Sequence, residues 1–157
     1  MDFSVVIAAI AAFFGPGAPQ VLPVSVTYKS TTSYASRPRY QVVTNQVQWS
    51  KAWIEETKGT RSTPTVDFKN KFVVLIQQGK TVGSEGIVFH SVQRVNDQIV
   101  IRFDNESAPA SRKNKVSTAS GYAVIPNARG TYVFLENVQQ VKDKPPIWRE
   151  RARQTVK

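Results

Sequence analysis

Runs of apolar residues alternate with polar turns along most of this chain, and the pattern predicts a series of strands with one helix. Within a strand predicted over 66–77, the continuous apolar stretch 72–76 indicates burial on both faces, which is typical of a central strand. Alternating segments at 87–95 and 98–103, joined by the tight reversal VNDQ, predict a hairpin. The segments GYAVIP and TYVFLEN, separated by NARG, predict a second antiparallel hairpin.

One helix is predicted in the stretch QVQWSKAWIEETKG, beginning at Thr44 or Asn45 and ending where Gly59 supplies a left-handed C-cap. Trp49 and Trp53 lie one turn apart on the same helix face. Such a pair can form a platform for a ligand, but aromatic residues at helical spacing more often cover a sheet. The predicted fold class is therefore α+β: an antiparallel sheet meander with one tryptophan-bearing helix packed on one face.

Composition divides the chain into four segments. Residues 1–20 form a signal-like apolar segment, whose run at 3–14 is too short for a transmembrane helix but matches the core of a signal peptide; a docked hydrophobic arm is the alternative. Residues 21–40 are predicted to be a linker that becomes an edge strand, because a proline excludes a central position. Residues 41–141 hold the α+β domain, and residues 142–157 are a basic tail, either a short helix or a frayed end.

Charge and cysteine usage narrow the classes of function. The chain has 157 residues, enough for one domain with its own core, and the absence of cysteine excludes disulfides, thiol catalysis and thiolate metal sites. A net charge of +10 predicts attraction to polyanions such as nucleic acid, anionic lipid or acidic cell-wall polymer. The candidate polyanion-binding residues are the dense cations of the tail, namely Lys142, Lys144, Arg149, Arg151 and Arg153.

Tyrosines interleaved with arginines suggest a stacking surface for nucleic acid on the sheet. The chain contains no RNP-type motif and no helix-turn-helix, so this hypothesis depends on composition alone. The residues concerned are Tyr28, Tyr34, Tyr40, Tyr122 and Tyr132, together with Arg37, Arg39 and Arg129.

The residues do not predict an enzyme. A nucleophilic triad needs a base beside the nucleophile, and the one histidine, His90, lies within a predicted strand with Phe89 and Ser91 expected on the opposite face. Carboxylates are few, and none forms an isolated pair suited to acid–base catalysis. We expect no catalytic residue, no metal and no other cofactor, because tetrahedral zinc needs more histidine or cysteine than this chain has.

The turn GKTVGSEG, residues 79–86, raises the question of a phosphate-binding loop. The first glycine of that motif would fall at position 74, which is valine, and the chain continues as strand instead of starting a helix. The glycines are therefore expected to permit positive φ angles in a wide hairpin turn, across which Lys80 and Glu85 can pair.

The polar segment 105–120 reads as a long surface loop, and long loops often carry function. Together with the turn at 79–86 it is the predicted contact surface for another protein, whose acidic groups its cations would meet. The candidate partner-binding residues are Lys80, Ser84, Glu85, Arg112, Lys113 and Lys115. An ordinary solvated loop is the alternative.

The order of these motifs resembles the C-terminal domain of the bacterial protease-complex subunit PrcB family over roughly residues 41–136. That family has a tryptophan-bearing helix, a DF pair before a buried strand, a glycine-rich turn into the next strand, and a late Pro-Tyr pair. The matching positions here are Trp49, Trp53, Asp67, Phe68, Gly79, Gly83, Gly86, Ile87, Gly121 and Tyr122. The sequence differs in having GSEGI for the double glycine and aromatic, and Gly-Tyr for Pro-Tyr.

The resemblance implies an exported, non-enzymatic accessory module that stabilises or scaffolds a partner protein, as in a protease complex. Three alternatives stay open: a basic nucleic-acid-associated protein, a hydrolase or lyase using His90, and a structural envelope or assembly subunit in which residues 3–14 pack against neighbours. No transmembrane span is expected, and the sequence leaves the partner and the oligomeric state open.

Overall fold

The computed structural model describes residues 18–157, so the signal-like run at 3–14 lies outside the described residues. The first elements in chain order are β1 (Gln20–Val21), β2 (Val26–Ser30), β3 (Arg39–Val43), helix α1 (Gln46–Thr57), β4 (Lys71–Gln77), β5 (Thr81–Val82) and β6 (Ser84–Val95). The remaining elements are β7 (Gln98–Ser107), a 3₁₀ turn (Ala110–Arg112), β8 (Val116–Ser117), β9 (Ser120–Pro126), β10 (Gly130–Asn137) and β11 (Trp148–Val156).

The strands form two main sheets and a short ribbon. The larger sheet has the order β1-β6-β7-β10-β11, the second has the order β2-β9-β4-β3, and β5 pairs with β8. Every neighbouring pair is antiparallel except β7 and β10, which run parallel. Residues 18–157 consist mostly of strands, with one α-helix. The protein therefore belongs to the broad α+β class that the sequence predicts.

The hydrophobic core lies between the two sheets. Val42, Val74, Ile76 and Ile125 of the four-stranded sheet pack in one cluster with large side chains of the five-stranded sheet. Those partners are Ile87, Val92, Ile99, Ile101, Phe103, Tyr132 and Phe134. Because side chains alternate along a strand, each sheet turns its other face away from this core.

Strand β4 is the buried central strand that the sequence predicts. It lies between β3 and β9, and all residues from Phe72 to Ile76 are buried. Val74 and Ile76 face the core between the sheets, whereas Val73 and Leu75 belong to a second cluster with Trp49 and Trp53. Both faces of β4 are therefore covered by apolar side chains.

Helix α1 begins and ends close to the predicted residues. Asn45 is the N-cap, since its side-chain oxygen accepts a hydrogen bond of 2.9 Å from the backbone N–H of Gln48. The left-handed cap at the other end is Lys58, with φ of 50°, and Gly59 follows it with φ of 69°. The indole N–H groups of Trp49 and Trp53 donate to backbone carbonyls at Pro64 and Ser62, each at 2.9 Å.

The predicted hairpin of GYAVIP and TYVFLEN is wrong. These segments are β9 and β10, and they lie in different sheets, with β9 between β2 and β4 and β10 between β7 and β11. Parallel pairing needs a long connection, and here the chain between β7 and β10 passes through the other sheet as β9. The strands therefore do not follow one antiparallel meander.

Within the predicted basic tail at residues 142–157, Trp148–Val156 is neither a frayed end nor a helix. Trp148–Val156 forms the edge strand β11, which pairs with β10 from Gly130 to Asn137. The side-chain amide of Gln154 also accepts from the backbone N–H of Val42 at 2.7 Å and donates to its carbonyl at 3.1 Å. These bonds join the edge of one sheet to β3 of the other and make the last residues part of the domain.

Residues 21–40 likewise belong to the folded sheets. Pro23 separates β1 from β2, and these two short strands lie at edges of different sheets, so the segment holds edge strands, as predicted, where a linker was expected to precede them. After β2, the backbone N–H of Ser33 donates to the Thr118 carbonyl, and that of Tyr34 donates to the Glu56 carbonyl at the end of α1.

Asp67 forms a hydrogen-bonded turn before β4 that gives stability a dependence on pH. Its carboxylate accepts from Asn70 Nδ2 at 2.7 Å and from the backbone N–H of Lys69 at 3.1 Å, and these bonds lower its pKa. A carboxyl with a lowered folded pKa stabilises the protein above its unfolded value, about 3.9, and this contribution is lost as the pH falls through the folded pKa.

We expect Asp67→Asn to show a smaller loss of stability between pH 7 and pH 2.5 than the wild type. Urea midpoints at the two pH values measure this difference. Asp143→Asn removes an exposed carboxylate from the 141–145 segment and is the control, with the wild-type pH dependence. An Asp67→Asn profile that is parallel to the wild-type profile would contradict the assignment.

Candidate functional site

The structure joins the turn at 79–86 to the segment at 105–120. In the ribbon, Thr81 lies opposite Ser117 and Val82 lies opposite Val116. At Gly83 the backbone N–H donates to the Lys115 carbonyl at 2.9 Å, and the Gly83 carbonyl accepts from Ala108 at 2.8 Å. The two segments that the sequence predicts as one contact surface therefore form one hydrogen-bonded unit, which we call the ribbon surface.

Gly83 is required where the turn meets the loop. Its φ angle is +67°, and a Cβ at this position would lie 2.4 Å from the Lys113 carbonyl oxygen. An L-residue would be strained by the angle and would overlap the backbone. Gly83 therefore permits the close approach of two backbone segments.

Charged side chains surround this ribbon. Lys80, Lys113 and Lys115 are exposed, and no ion pair within residues 18–157 involves them. Glu85 pairs with Arg112 at 3.1 Å, which corrects the expectation that it pairs with Lys80. This bond connects β6 to the 3₁₀ turn, and the three lysines are the cations of this surface that no ion pair within residues 18–157 involves.

Ser84 is the one candidate partner-binding residue that the structure removes from the surface. It is 5% exposed, and its hydroxyl hydrogen-bonds to the Asn105 side-chain oxygen and accepts from the Gly86 N–H at 3.1 Å. The sequence placed it in an exposed turn because its neighbours are polar. In the structure it begins β6 and holds that strand to β7.

Two apolar side chains stand at the centre of the ribbon surface. Val82 is 62% exposed and Val116 is 67% exposed, and they are directly opposite each other in the β5–β8 ladder. The same two segments carry the exposed Lys80, Lys113 and Lys115, and exposed apolar side chains together with polar ones are typical of small protein interfaces. Sequence reasoning selected the charged residues but missed these two valines.

A polar cleft of about 800 Å³ lies beside the ribbon surface. Its charged lining residues are Asp104, Glu106, Glu136, Arg149 and Arg151. Each carboxylate is hydrogen-bonded to a basic side chain: Asp104 to His90, Glu106 to Lys29, and Glu136 to Arg151 at 2.5 Å. These bonds connect β7 to β6 and to β2, and they connect β10 to β11.

The cations predicted to bind a polyanion do not form one free patch. Arg151 bonds to Glu136, and Arg153 holds both oxygens of Glu150, at 2.6 and 2.8 Å. Arg149 lines the cleft, and Lys142 and Lys144 lie on the exposed segment between β10 and β11. Pairing with carboxylates reduces the positive charge that β11 presents to an anionic polymer.

The predicted stacking surface is divided by burial. Tyr122 and Tyr132 are buried, and burial raises the pKa of both phenols. Tyr28 stacks on Tyr122 with ring centroids 5.2 Å apart, and Tyr40 contacts the core rings of Phe103 and Phe134. Tyr34 is 52% exposed but stands under Lys58, whose Nζ is 4.4 Å from the ring centre. These tyrosines therefore pack the domain and do not form a common platform.

His90 has an acid partner that the sequence does not indicate. Its Nε2 hydrogen-bonds to the Asp104 carboxylate, and its ring lies edge-on to Trp148 with centroids 5.9 Å apart. A register shift between Phe89 and Ser91 brings His90 and Ser91 to the same face, contrary to prediction. The Ser91 hydroxyl accepts from Arg102 at 3.2 Å, so the arrangement lacks the contact from serine to histidine that a triad uses.

A buried carboxylate at the end of α1 is the main polar feature missed in the sequence. Glu56 is 3% exposed and accepts hydrogen bonds from the Ser33 hydroxyl at 2.5 Å, from Gln77 Nε2 at 2.6 Å and from the Ser120 hydroxyl. These donors come from three separate parts of the chain. Its exposed neighbour Glu55 has the same residue type, so the sequence offers no signal that separates them.

Comparisons with models of known families, with curated proteins and with solved structures find no match. Within residues 18–157, no helix is both long and apolar enough to cross a membrane. In the same residues, no three histidine, aspartate or glutamate side chains gather in a way that would hold a metal ion.

Proposed function

We propose that this protein is an exported, non-enzymatic accessory module that stabilises or scaffolds a partner protein, and that it binds the partner through the ribbon surface. The observation that carries the proposal is the exposed pair Val82 and Val116, together with the exposed Lys80, Lys113 and Lys115 in the same two segments. Burial of the valines would supply most of the affinity, and the lysines would favour an acidic partner and speed its association. The resemblance to the PrcB family suggests a protease complex as the setting.

The non-enzymatic part of the proposal is supported by the pairing of ionisable groups. The three carboxylates of the polar cleft are bonded to basic side chains, and the Ser91 hydroxyl beside His90 accepts a hydrogen bond from Arg102. A nucleophile and its base normally lie within hydrogen-bonding reach of one another. These groups are better suited to hold strands together than to transfer protons.

In this proposal the tryptophan-bearing helix covers one face of the four-stranded sheet and supports the domain. Its supporting contacts are the ring of Tyr122 in β9, 5.0 Å from the Trp49 ring and 5.7 Å from the Trp53 ring. Both indoles are almost fully buried, at 0% and 3% exposure, so they are not available as a ligand platform. The accessory role then falls to the ribbon surface, which begins shortly after β4.

We expect a double reversal of charge, Lys113→Glu with Lys115→Glu, to weaken partner binding at least tenfold, because both residues would repel an acidic surface. Tagged wild-type protein, captured from nuclease-treated extract of its own cells, would hold one stoichiometric protein partner that the double variant loses. The matched control is Lys142→Glu with Lys144→Glu, which makes the same charge change on the segment before β11 and should keep the partner.

The same captured protein tests the other parts of the proposal. Mass spectrometry of a mature N-terminus that starts near residue 20 would support export, and an intact Met1 would contradict it. Loss of all bound material on nuclease treatment would contradict protein binding and favour association with nucleic acid. Equal loss of the partner in both double variants would show that net charge, and not the ribbon surface, determines binding.

A further inference from the structure

Arg102 is a buried cation on the side of the five-stranded sheet that faces away from the core. It lies in β7 between Ile101 and Phe103, which point into the core, and it is only 5% exposed. Its Nη1 donates to Gln93 Oε1 at 2.6 Å and to Ser91 Oγ at 3.2 Å. No ion pair within residues 18–157 involves Arg102, and burial lowers its pKa.

The other edge of this guanidinium has no acceptor. Nε and Nη2 of Arg102 are both buried, and neither forms a hydrogen bond. The same two atoms of Arg153 hold both carboxylate oxygens of Glu150, at 2.6 and 2.8 Å. Arg102 therefore presents the donor pair that binds a carboxylate elsewhere on this sheet, but in a buried position where an unpaired donor is more costly.

Trp148 adds a third donor of the same kind. Its indole lies with the ring centre 5.8 Å from Arg102 Cζ, and its Nε1 is buried without a hydrogen bond. The other two indoles of the described chain, at Trp49 and Trp53, both donate to backbone carbonyls. Buried polar groups are rarely left unpaired in native proteins, and here three such N–H groups occur in two adjacent side chains.

The charges around Arg102 favour a ligand with a single negative charge. Asp104, two residues further along β7, is bonded to His90, and Glu150 of β11 is bonded to Arg153. Arg102 is the buried cation of this cluster, and no ion pair within residues 18–157 involves it. A monoanion would neutralise it, whereas a phosphate dianion would add excess negative charge beside Asp104.

We propose that Arg102 and Trp148 form a carboxylate-binding site, in which Nε and Nη2 of Arg102 bind the two carboxylate oxygens and the Trp148 indole N–H donates to one of them. Trp148 is the first residue of β11, and binding at this buried site requires its ring to turn aside. The carboxylate belongs to a small organic acid or to an acidic side chain of a bound protein. This site is separate from the ribbon surface and does not depend on its role.

The test is a titration of full-length, ¹⁵N-labelled protein with sodium acetate at constant ionic strength, followed by NMR. The Nε–H signal of Arg102 and the indole signal of Trp148 should shift together and reach saturation. The indole signals of Trp49 and Trp53 should not move, because their hydrogen bonds are already made. Absence of a saturable shift with acetate and with a glutamate-rich peptide would overturn the proposal.

Two further arms distinguish the source and the chemistry of the ligand. A glutamate-rich peptide that acts at a tenfold lower concentration than acetate, per carboxylate, supports an acidic protein segment, and equal action supports a small organic acid. Inorganic phosphate at the same ionic strength should act more weakly than acetate. A shift with phosphate and none with acetate would overturn the assignment to carboxylate.

A conservative variant separates binding from packing. Arg102→Lys keeps the charge but lacks the paired donors, so the Trp148 signal should lose its response to acetate. Unchanged Trp49 and Trp53 signals show that this variant is folded. Arg153→Lys is the matched control on the same sheet and should respond like the wild type; an equal response in Arg102→Lys would contradict the site.

Discussion

Replacement of Glu56 by alanine is expected to lower the free energy of unfolding by about 3 kcal/mol, since each buried donor left without a partner costs about 1–3 kcal/mol and removal of a buried charge offsets part of this. The donors are the Ser33 hydroxyl, Gln77 Nε2 and the Ser120 hydroxyl. They join the end of α1 to the segment after β2, to β4 and to β9. Urea denaturation measures the loss.

The adjacent residue provides the control for this prediction. Glu55 is exposed and pairs with Arg39 at 2.5 Å, and an exposed ion pair of this kind contributes about 0–1 kcal/mol. Glu55→Ala should therefore have an effect several times smaller than Glu56→Ala. The loss of stability in Glu56→Gln should fall between these two losses. The amide oxygen still accepts a hydrogen bond, but the amide NH₂ replaces the other carboxylate oxygen and faces a side chain that donates in the wild type. Equal losses in the two alanine variants would show that the carboxylate does not hold these segments together.

Replacement of Arg102 by methionine is expected to stabilise the protein, in contrast to Glu56→Ala, and to raise the free energy of unfolding by about 1–3 kcal/mol. The change removes a buried charge without a counter-ion and keeps a side chain of similar volume. Arg102 is 5% exposed and two of its nitrogens lack hydrogen bonds. The acceptors Ser91 and Gln93 that it leaves are only partly buried, so water can reach them.

Arg153→Met is the comparison for this second variant. Arg153 is exposed and its carboxylate partner Glu150 stays exposed when it is removed, so stability should change by about 0.5 kcal/mol or less. A destabilised Arg102→Met protein would show that the guanidinium contributes to the fold through its bonds to Ser91 and Gln93. A stabilised one would show that the native residue is kept despite its cost in stability, as is common for binding residues.

These two residues have different roles although both are buried and charged. The Glu56 carboxylate accepts hydrogen bonds from three side chains that lie far apart in the chain. The Arg102 guanidinium donates to two acceptors through Nη1, whereas its Nε and Nη2 form no hydrogen bond. A satisfied polar network gives a domain a unique arrangement, and an unsatisfied one points to a missing partner. Glu56 and Arg102 therefore differ in how completely their polar atoms are hydrogen-bonded, and not in how deeply they are buried.

Much of the candidate ribbon surface could be predicted because its signals are local. Glycines at 79, 83 and 86 and the polar composition of 105–120 indicate turns and loops without reference to the rest of the chain. The pairing of Val82 with Val116 could not be predicted, because these short strands are 34 positions apart and each has only two residues. Two-residue strands carry no periodic pattern to recognise.

The sequence by itself determined the elements whose signal lies within a few neighbouring residues: the capped helix, the central strand with its continuous apolar run, and the β6–β7 hairpin with its tight reversal. The spacing of apolar residues shows which face of a helix or strand is apolar, and a few neighbouring residues are enough to show it. The broad α+β class follows from these elements alone.

Only the tertiary structure decided which strands pair and which charges are buried. The division into two sheets, the parallel pairing of β7 with β10 and the edge strand at Trp148–Val156 depend on contacts between residues far apart in sequence. Glu56 and Arg102 differ from their exposed counterparts Glu55 and Arg153 only in surroundings, not in residue type. A pattern of apolar and polar positions shows which face of a strand is buried, but not which residues cover that face. Strand pairing and the burial of Glu56 and Arg102 therefore depend on packing between distant parts of the chain.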